Sequence, residues 1–156
     1  MSVTLDSIDL AILSQLQQDA TTPNTDLAKK VKMAPSAVLE RVKKLKQKGV
    51  ILEQTARIHP EYIDLKLLAF IFIKSSEGPG NISVAKHLSK LPEVLELHHI
   101  AGEDCYIAKV RARDPQSLAQ LMRDKFSKIP GLLSTKTTIA LETLKESNHL
   151  PIPKKM

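Results

Sequence analysis

Residues 26–49, DLAKKVKMAPSAVLERVKKLKQKG, decide how this chain is read. They form two short helices joined by Lys32-Met33-Ala34, a connection too short for anything but a turn. The earlier helix, capped by Asn24 or Thr25, runs through Val31. Pro35 suits the first position of the later one, which continues to Gln47 or Lys48 and stops at Gly49. Val38, Val42 and Leu45, spaced four then three, point inward; Ala37, Glu40, Arg41 and Lys44 project elsewhere. Eight cationic side chains lie between Lys29 and Lys48 against a single acid, Glu40, so the local charge of +7 exceeds the +6 of the whole chain. A cationic helix on a compact helical unit makes a surface suited to phosphates.

Upstream, a further helix opens at Asp6. Asp6 is a good N-cap, Asp9 stands at the third position where a carboxylate favours the positive end, and Leu5 and Leu10 have hydrophobic-staple spacing. Ile8, Ile12, Leu13 and Leu16 carry a helical stripe as far as Asp19, and Thr21-Thr22-Pro23-Asn24 is a turn. Three helices of which the last is cationic make a helix-turn-helix pattern, whose second motif helix enters the major groove. Against this, amphipathic helices carry lysine on solvated faces in any case. Ser36, Ala37, Glu40 and Arg41 lie near the start of the third helix, where base edges are read. Lys43, Lys44, Lys46 and Lys48 suit phosphates, giving affinity and salt dependence.

Beyond residue 65 the period changes. Leu67, Ala69, Ile71 and Ile73 alternate with Leu68, Phe70 and Phe72, a strand expected to be covered on both faces. Gly78-Pro79-Gly80 breaks it. A helix over Ile82–Leu91 follows, then strands over Val94–Ile100 and Tyr106–Ala112 around the turn Ala101-Gly102-Glu103-Asp104. Pro115 opens another helix with Leu118, Leu121, Met122 and Phe126 on one face, and Leu133–Leu141 is a final Thr-rich strand. This β-α-β-β-α-β order is the ferredoxin-like arrangement. The Pro- and Lys-rich tail, Asn148–Met156, is expected to fray.

Composition narrows the function classes. No apolar run reaches membrane-spanning length, since Leu67–Ile73 is only strand-sized. The opening MSVTLDSIDL lacks the features of a signal peptide, and the single Cys105 excludes an internal disulfide, together giving a cytoplasmic expectation. With no Trp and 3% aromatic residues, a stacking platform for single-stranded nucleic acid is poorly supported. His98 and His99 are adjacent on a strand and point to opposite faces, while His59, His87 and His149 lack ligands at suitable spacing, so no metal site is expected. Cys105 beside Asp104 reads as inert. No phosphate loop, dinucleotide fingerprint or nucleophile elbow is present, so neither an enzyme nor a cofactor is expected. The turn Gly102-Glu103-Asp104 permits close backbone approach and offers two carboxylates to an amine, although by pattern alone a plain polar hairpin turn is the better explanation. Thr135, Thr137 and Thr138 offer hydroxyls or reflect strand propensity alone.

Taken together, these segments resemble the Lrp/AsnC, or feast–famine, family of transcription regulators. The resemblance rests on Leu5-Asp6-x-x-Asp9-x-x-Ile12-Leu13, on Asp26-Leu27-Ala28-Lys29-Lys30-Val31, and on Pro35-Ser36-x-Val38-x-x-Arg41-Val42-x-x-Leu45-x-x-x-Gly49-Val50-Ile51. Further on it includes Leu91-Pro92-x-Val94, Ala101-Gly102-Glu103-Asp104-Cys105-Tyr106, Pro130-Gly131 and Thr135-x-Thr137. It implies an α+β chain with a winged-type helix-turn-helix of three helices over residues 1–52. A linker with a strand follows over 53–65, then a ferredoxin-like ligand-sensing and oligomerisation domain over 66–147 and a tail over 148–156. It implies double-stranded DNA as partner and a homodimer formed through the C-terminal sheets, assembling to a tetramer or octamer, with an amino-acid effector. Ser36, Ala37, Glu40, Arg41 and Lys44 would face DNA, with Lys43 and Lys48 on phosphates; Gly102, Glu103, Asp104, Thr135 and Thr137 would serve the effector.

The chain departs from the family pattern twice. Ala34 replaces the usual serine before the proline and cannot cap, so Ser36 or a neighbour is expected to compensate. Where many members have Gly-Asp-Tyr-Asp, this chain has Gly102-Glu103-Asp104-Cys105, which implies a different effector or none. Two other functions compete. One is a siroheme-decarboxylase-like enzyme, suggested by His98, His99 and Arg111, in which a cationic recognition helix has no evident role. The other is an architectural DNA-compacting protein without a specific operator.

Overall fold

The computed structural model of the chain describes residues 3–78 and 80–154. Pro79 of the Gly78-Pro79-Gly80 break, and Lys155 and Met156 of the tail, lie outside the described residues. The chain divides into two compact units: one formed by the segment up to Arg57 together with the segment from Lys145 on, the other by Ile58–Leu144.

The first unit contains α1 (Ser7–Gln18), α2 (Asn24–Val31) and α3 (Pro35–Gln47). α1 begins as its sequence dictates. The Asp9 N–H donates to Asp6 Oδ1 at 2.8 Å and the Asp6 N–H donates back to Asp9 Oδ2 at 3.2 Å, a reciprocal capping box. α2 differs from expectation, because Pro23 and not Asn24 or Thr25 occupies its N-cap, without a side-chain cap. The Pro23 carbonyl instead accepts the Asp26 and Leu27 N–H groups, both at 3.0 Å. α3 likewise has Ala34 as an N-cap without a side-chain bond, and nothing compensates through Ser36. Pro35 explains why none is required: it has no N–H, so one of the unpaired donors of the first turn is already removed.

Ile12, Leu27 and Val38, one from each helix, are fully buried, with Ala28, Val42 and Leu45 completing the core. Each fully buried aliphatic side chain contributes about 1.5–3 kcal/mol. α3 ends at Gly49, whose φ of 68° lets the Val50 N–H reach back to the Leu45 carbonyl at 2.9 Å. Val50 and Ile51 then pack against the helices. No strand forms between α3 and residue 66, so no wing is seen among the described residues, and the strand expected within 53–65 is not formed. A strand needs a partner, and residues 53–58 make no backbone ladder with any described segment; Pro60–Ile63 is a single 3-10 turn.

The tail also departs from expectation. The Gln17 amide donates to the Leu150 carbonyl at 2.7 Å and accepts the Leu150 N–H at 2.9 Å. Arg57 donates to the Glu146 carbonyl at 2.6 Å and pairs with its carboxylate at 3.0 Å. Residues 145–154 therefore return to the helical unit, because a glutamine amide supplies both donor and acceptor to one backbone residue.

The second unit is β1 (Leu67–Ser75), α4 (Ser83–Leu88), β2 (Val94–His99), β3 (Tyr106–Ala112), α5 (Pro115–Asp124) and β4 (Leu132–Ile139). Its antiparallel sheet has the order β2-β3-β1-β4, the expected ferredoxin-like topology. Ala69, Ile71 and Ile73 pair with Val110, Ala108 and Tyr106 respectively, on the face that packs against Val84, Leu88, Leu118, Leu121 and Phe126. The opposite face does not match the expectation of a strand covered twice. Phe70, Phe72 and Ile107 are only half-buried there, with Lys136 Nζ 4.9 Å from the Phe72 ring centroid.

The turn between α2 and α3 carries the local strain of the helical unit. Lys32 adopts φ 55°, ψ 48°, a left-handed conformation that glycine takes without steric cost. We expect Lys32→Gly to unfold at a temperature no lower than wild type. Lys32→Val, whose branched Cβ is worst accommodated at positive φ, should lower Tm by several degrees, by about 1–2 kcal/mol. Thermal denaturation followed by circular dichroism checks both.

Candidate nucleic-acid interface and effector turn

Burial of Val38, Val42 and Leu45 fixes the rotation of α3 about its axis. At about 100° per residue, Glu40 and Gln47 lie directly opposite the mean direction of that trio, with Ser36 beside them. Lys43 and Lys44 stand about 50° to either side. Ser36, Glu40, Lys43, Lys44, Gln47 and the capping Lys48 are all exposed, and Ala37 is half-buried further round. The outward face is therefore a narrow polar stripe between two lysine flanks. Gln47 was not picked out from sequence. Its signal was available, since it stands two turns from Glu40, but it emerges only once the buried side is fixed.

Lys46 turns away from this stripe and donates to Gln54 Oε1 at 2.6 Å, while the Gln54 amide donates to the Ala20 carbonyl at 3.1 Å. Arg41, the remaining residue expected to read bases, donates from Nη1 to Asp6 Oδ2 at 2.8 Å and to Asp9 Oδ1 at 2.7 Å. Its side chain is 30% exposed and that of Asp9 only 15%. α3 is thereby tied to both carboxylates of the α1 capping box. In sequence Asp6 and Asp9 read as a cap and Arg41 as a candidate base reader. The link between them spans 35 residues and no local pattern contains it.

In the second unit the loop before β3 is pinned at its end. The Cys105 N–H donates to the Ile73 carbonyl and the Ile100 N–H to the Cys105 carbonyl, both at 2.9 Å. Gly102 has φ 142°, a backbone conformation that side-chain-bearing residues rarely adopt. Glu103 is exposed, while Asp104 and Cys105 are half-buried. Register places Tyr106, Ile73 and Thr135 in one row across the sheet, and Ala108, Ile71 and Thr137 in the next. Thr135 thus stands two strand spacings, about 10 Å, from the start of β3. Both threonines are exposed, on the sheet face that carries the core.

Burial pushes the Tyr106 phenol up, with the Glu77 carboxylate adding to the effect. Glu77 itself accepts the Val84 N–H at 3.0 Å near the start of α4. His98 and His99 point to opposite faces, as alternation requires. His99 packs against Tyr106 with ring centroids 5.2 Å apart, and His98 lies 3.6 Å from Glu96. Among the described residues no three His, Cys, Asp or Glu side chains gather closely enough to hold a metal ion. No helix among them is long and apolar enough to cross a membrane.

Two family models match this architecture. Residues 5–46 match the AsnC-type helix-turn-helix domain and residues 68–150 the Lrp/AsnC ligand binding domain. The chain belongs to the Lrp/AsnC family. It is 35% identical over 150 residues to the leucine-responsive regulatory proteins of Klebsiella pneumoniae and Escherichia coli, covering 95% of this chain and 92% of each relative. Among solved structures, a transcriptional regulator of Neisseria meningitidis in complex with L-methionine is similar at a TM-score of 0.86 and 28% identity, over 95% of this chain and 97% of that one. Escherichia coli AsnC is similar at 0.85 and 27%, over 94% and 99%. The feast or famine regulatory protein of Mycobacterium tuberculosis, complexed with L-methionine, is similar at 0.87 and 29%, over 96% and 100%. A helix-turn-helix unit joined to an Lrp/AsnC ligand-binding unit makes this chain a DNA-binding transcription regulator of that family.

The Asp6–Arg41–Asp9 cluster makes an acid-dependence prediction. The Asp9 N–H that donates to Asp6 holds the Asp6 carboxyl below the usual range; desolvation opposes this and Arg41 adds to it. A carboxyl depressed in the folded state stabilises fully above the unfolded value of about 3.9 and ceases to do so as pH falls through the lowered native value. Asp6→Asn is therefore expected to lower stability at pH 7 and to leave it nearly unchanged near pH 2. Arg41→Met should lower it by about 1 kcal/mol at pH 7, since Asp6 is half exposed and only Asp9 is well shielded. Urea denaturation across this pH range measures both effects.

Proposed function

We propose that the chain acts as an oligomer that lays α3 in the major groove of double-stranded DNA and answers to a free amino acid at the Gly102 turn. The outward face of α3 carries this reading. A polar stripe of Ser36, Glu40 and Gln47 is presented to base edges, while Lys43 and Lys44 flank it on either side, where they can meet phosphates. The half-buried Phe70, Phe72 and Ile107 on the second sheet face supply apolar surface for pairing two copies, in keeping with a homodimer that assembles further to a tetramer or octamer. At the turn, Glu103 and Asp104 supply carboxylates for an ammonium group and the Gly102 backbone permits close approach. Thr135 and Thr137 offer hydroxyls along the same end of the sheet. The complexes of two relatives with L-methionine support an amino acid as the effector.

Binding to a duplex from the region upstream of the gene should weaken steeply with salt. Three lysines per protomer in a dimer imply a log–log slope of about −5. Lys44→Ala should reduce that slope by about 2 in the dimer, uniformly across sequences. Equal affinity for random duplex would refute an operator-specific role. For the effector, a thermal-shift screen of the twenty amino acids is expected to return at least one that raises Tm, since a ligand bound only by the folded state must stabilise it. Asp104→Asn should abolish that shift while leaving the Tm of the free protein unchanged.

A further inference from the structure

We propose that Glu40 is the residue through which α3 selects sequence, its carboxylate accepting from the exocyclic amine of a cytosine on the floor of the major groove. The inference rests on the reading of α3 as the groove-entering helix. Glu40 is the only acid on α3. It is exposed, and among the described residues it forms no hydrogen bond or ion pair, although Lys44 stands at i+4, where such a pair is commonly made. It lies within about 15° of the centre of the outward face, between the flanks of Lys43 and Lys44.

A negative charge at this place opposes binding to any phosphate. A helix built only to hold duplex by charge would carry a neutral or basic side chain there. Its presence makes sense where the carboxylate meets a donor, and in the major groove the donors are the amines of cytosine and adenine. Ionised glutamate accepts and does not donate. Adenine sets its N7 acceptor beside the N6 amine, so one carboxylate oxygen would face a lone pair. Cytosine presents the N4 amine with only a C–H alongside. Guanine offers O6 and N7, both acceptors, and repels the carboxylate. The same group therefore attracts cytosine and rejects guanine, while the lysines hold the two strands whatever their sequence. Arg41, the other candidate base reader on this part of the helix, is engaged by Asp6 and Asp9.

The test is selection from random duplexes with the full-length wild type, Glu40→Gln and Glu40→Ala. The wild type should enrich an inverted-repeat motif with one cytosine position fixed in each half-site. Glutamine, which pairs bidentately with adenine N6 and N7, should convert that position to adenine and leave the remainder of the motif in place. Alanine should erase the preference there, reducing discrimination about ten- to a hundred-fold, and should bind random duplex more tightly than the wild type. Circular dichroism melting should show both variants folded, since Glu40 is exposed on the outward face. If all three proteins enrich the same motif, or if alanine weakens binding to every sequence equally, the assignment of Glu40 is overturned while specific DNA binding stands. If the wild type enriches no motif at all, the reading of α3 as an operator-reading helix fails instead, and this assignment with it.

Discussion

Three aliphatic side chains on one side of a thirteen-residue helix govern the presentation of the first unit. Val38, Val42 and Leu45 are buried against Ile12 of α1 and Leu27 of α2, and a helix packed through such a seam cannot rotate about its axis without exposing it. Every other property of α3 follows from that fixed rotation. Glu40 and Gln47 are forced outward, Lys43 and Lys44 to the flanks, and Arg41 to the border facing α1. The Arg41 pairs with Asp6 and Asp9 then act on a geometry already set by packing. Their contribution is orientation: two charge-assisted bonds from one terminal nitrogen resist tilting of α3 against α1, which the apolar seam alone resists less well.

Much of this was legible in the sequence because it is local. The capping box of α1 lies within four residues, the stop at Gly49 within five, and the strand and helix order of the second unit follows from period changes and turn residues. The illegible parts are those in which distant residues meet. Nothing near Arg41 says that its partners lie on another helix, and nothing near Gln17 says that Leu150 will complete its amide. The caps of α2 and α3 were misjudged for a different reason. Asn24, Thr25 and Ser36 are good capping residues by type, yet prolines at positions 23 and 35 set the local backbone and leave the cap to a residue without a side-chain acceptor. The Gly102 turn was legible as a turn, through its glycine, but the sequence carried no measure of how far Thr135 and Thr137 stand from it. Only strand register supplies that spacing.

The second unit shows what a single chain leaves incomplete. One face of its sheet is a closed core in which Ala69, Ile71, Ile73 and Ala108 are wholly buried. The other carries two phenylalanines and an isoleucine that the chain covers only in part. Strand β1 reads as apolar on both faces, yet within this chain only one of them is a closed core. Residues 53–58 likewise have no ladder partner among the described residues. Alternation in sequence reports which surfaces are to be buried; it does not say by which molecule.

Charge on α3 separates holding from reading. Lysines on the flanks bring affinity that is indifferent to sequence, and adding more would raise specific and random binding alike. Discrimination has to come from a group whose energy changes sign with the base it meets. Neutral Ser36 and Gln47 adapt to several bases by turning a hydroxyl or an amide, whereas a carboxylate that only accepts is favourable beside an amine and unfavourable beside a lone pair. Placing that one acid at the centre of a cationic helix lowers total affinity and widens the gap between right and wrong sites. For a regulator that must find an operator among a vast excess of random duplex, the gap is the quantity that matters.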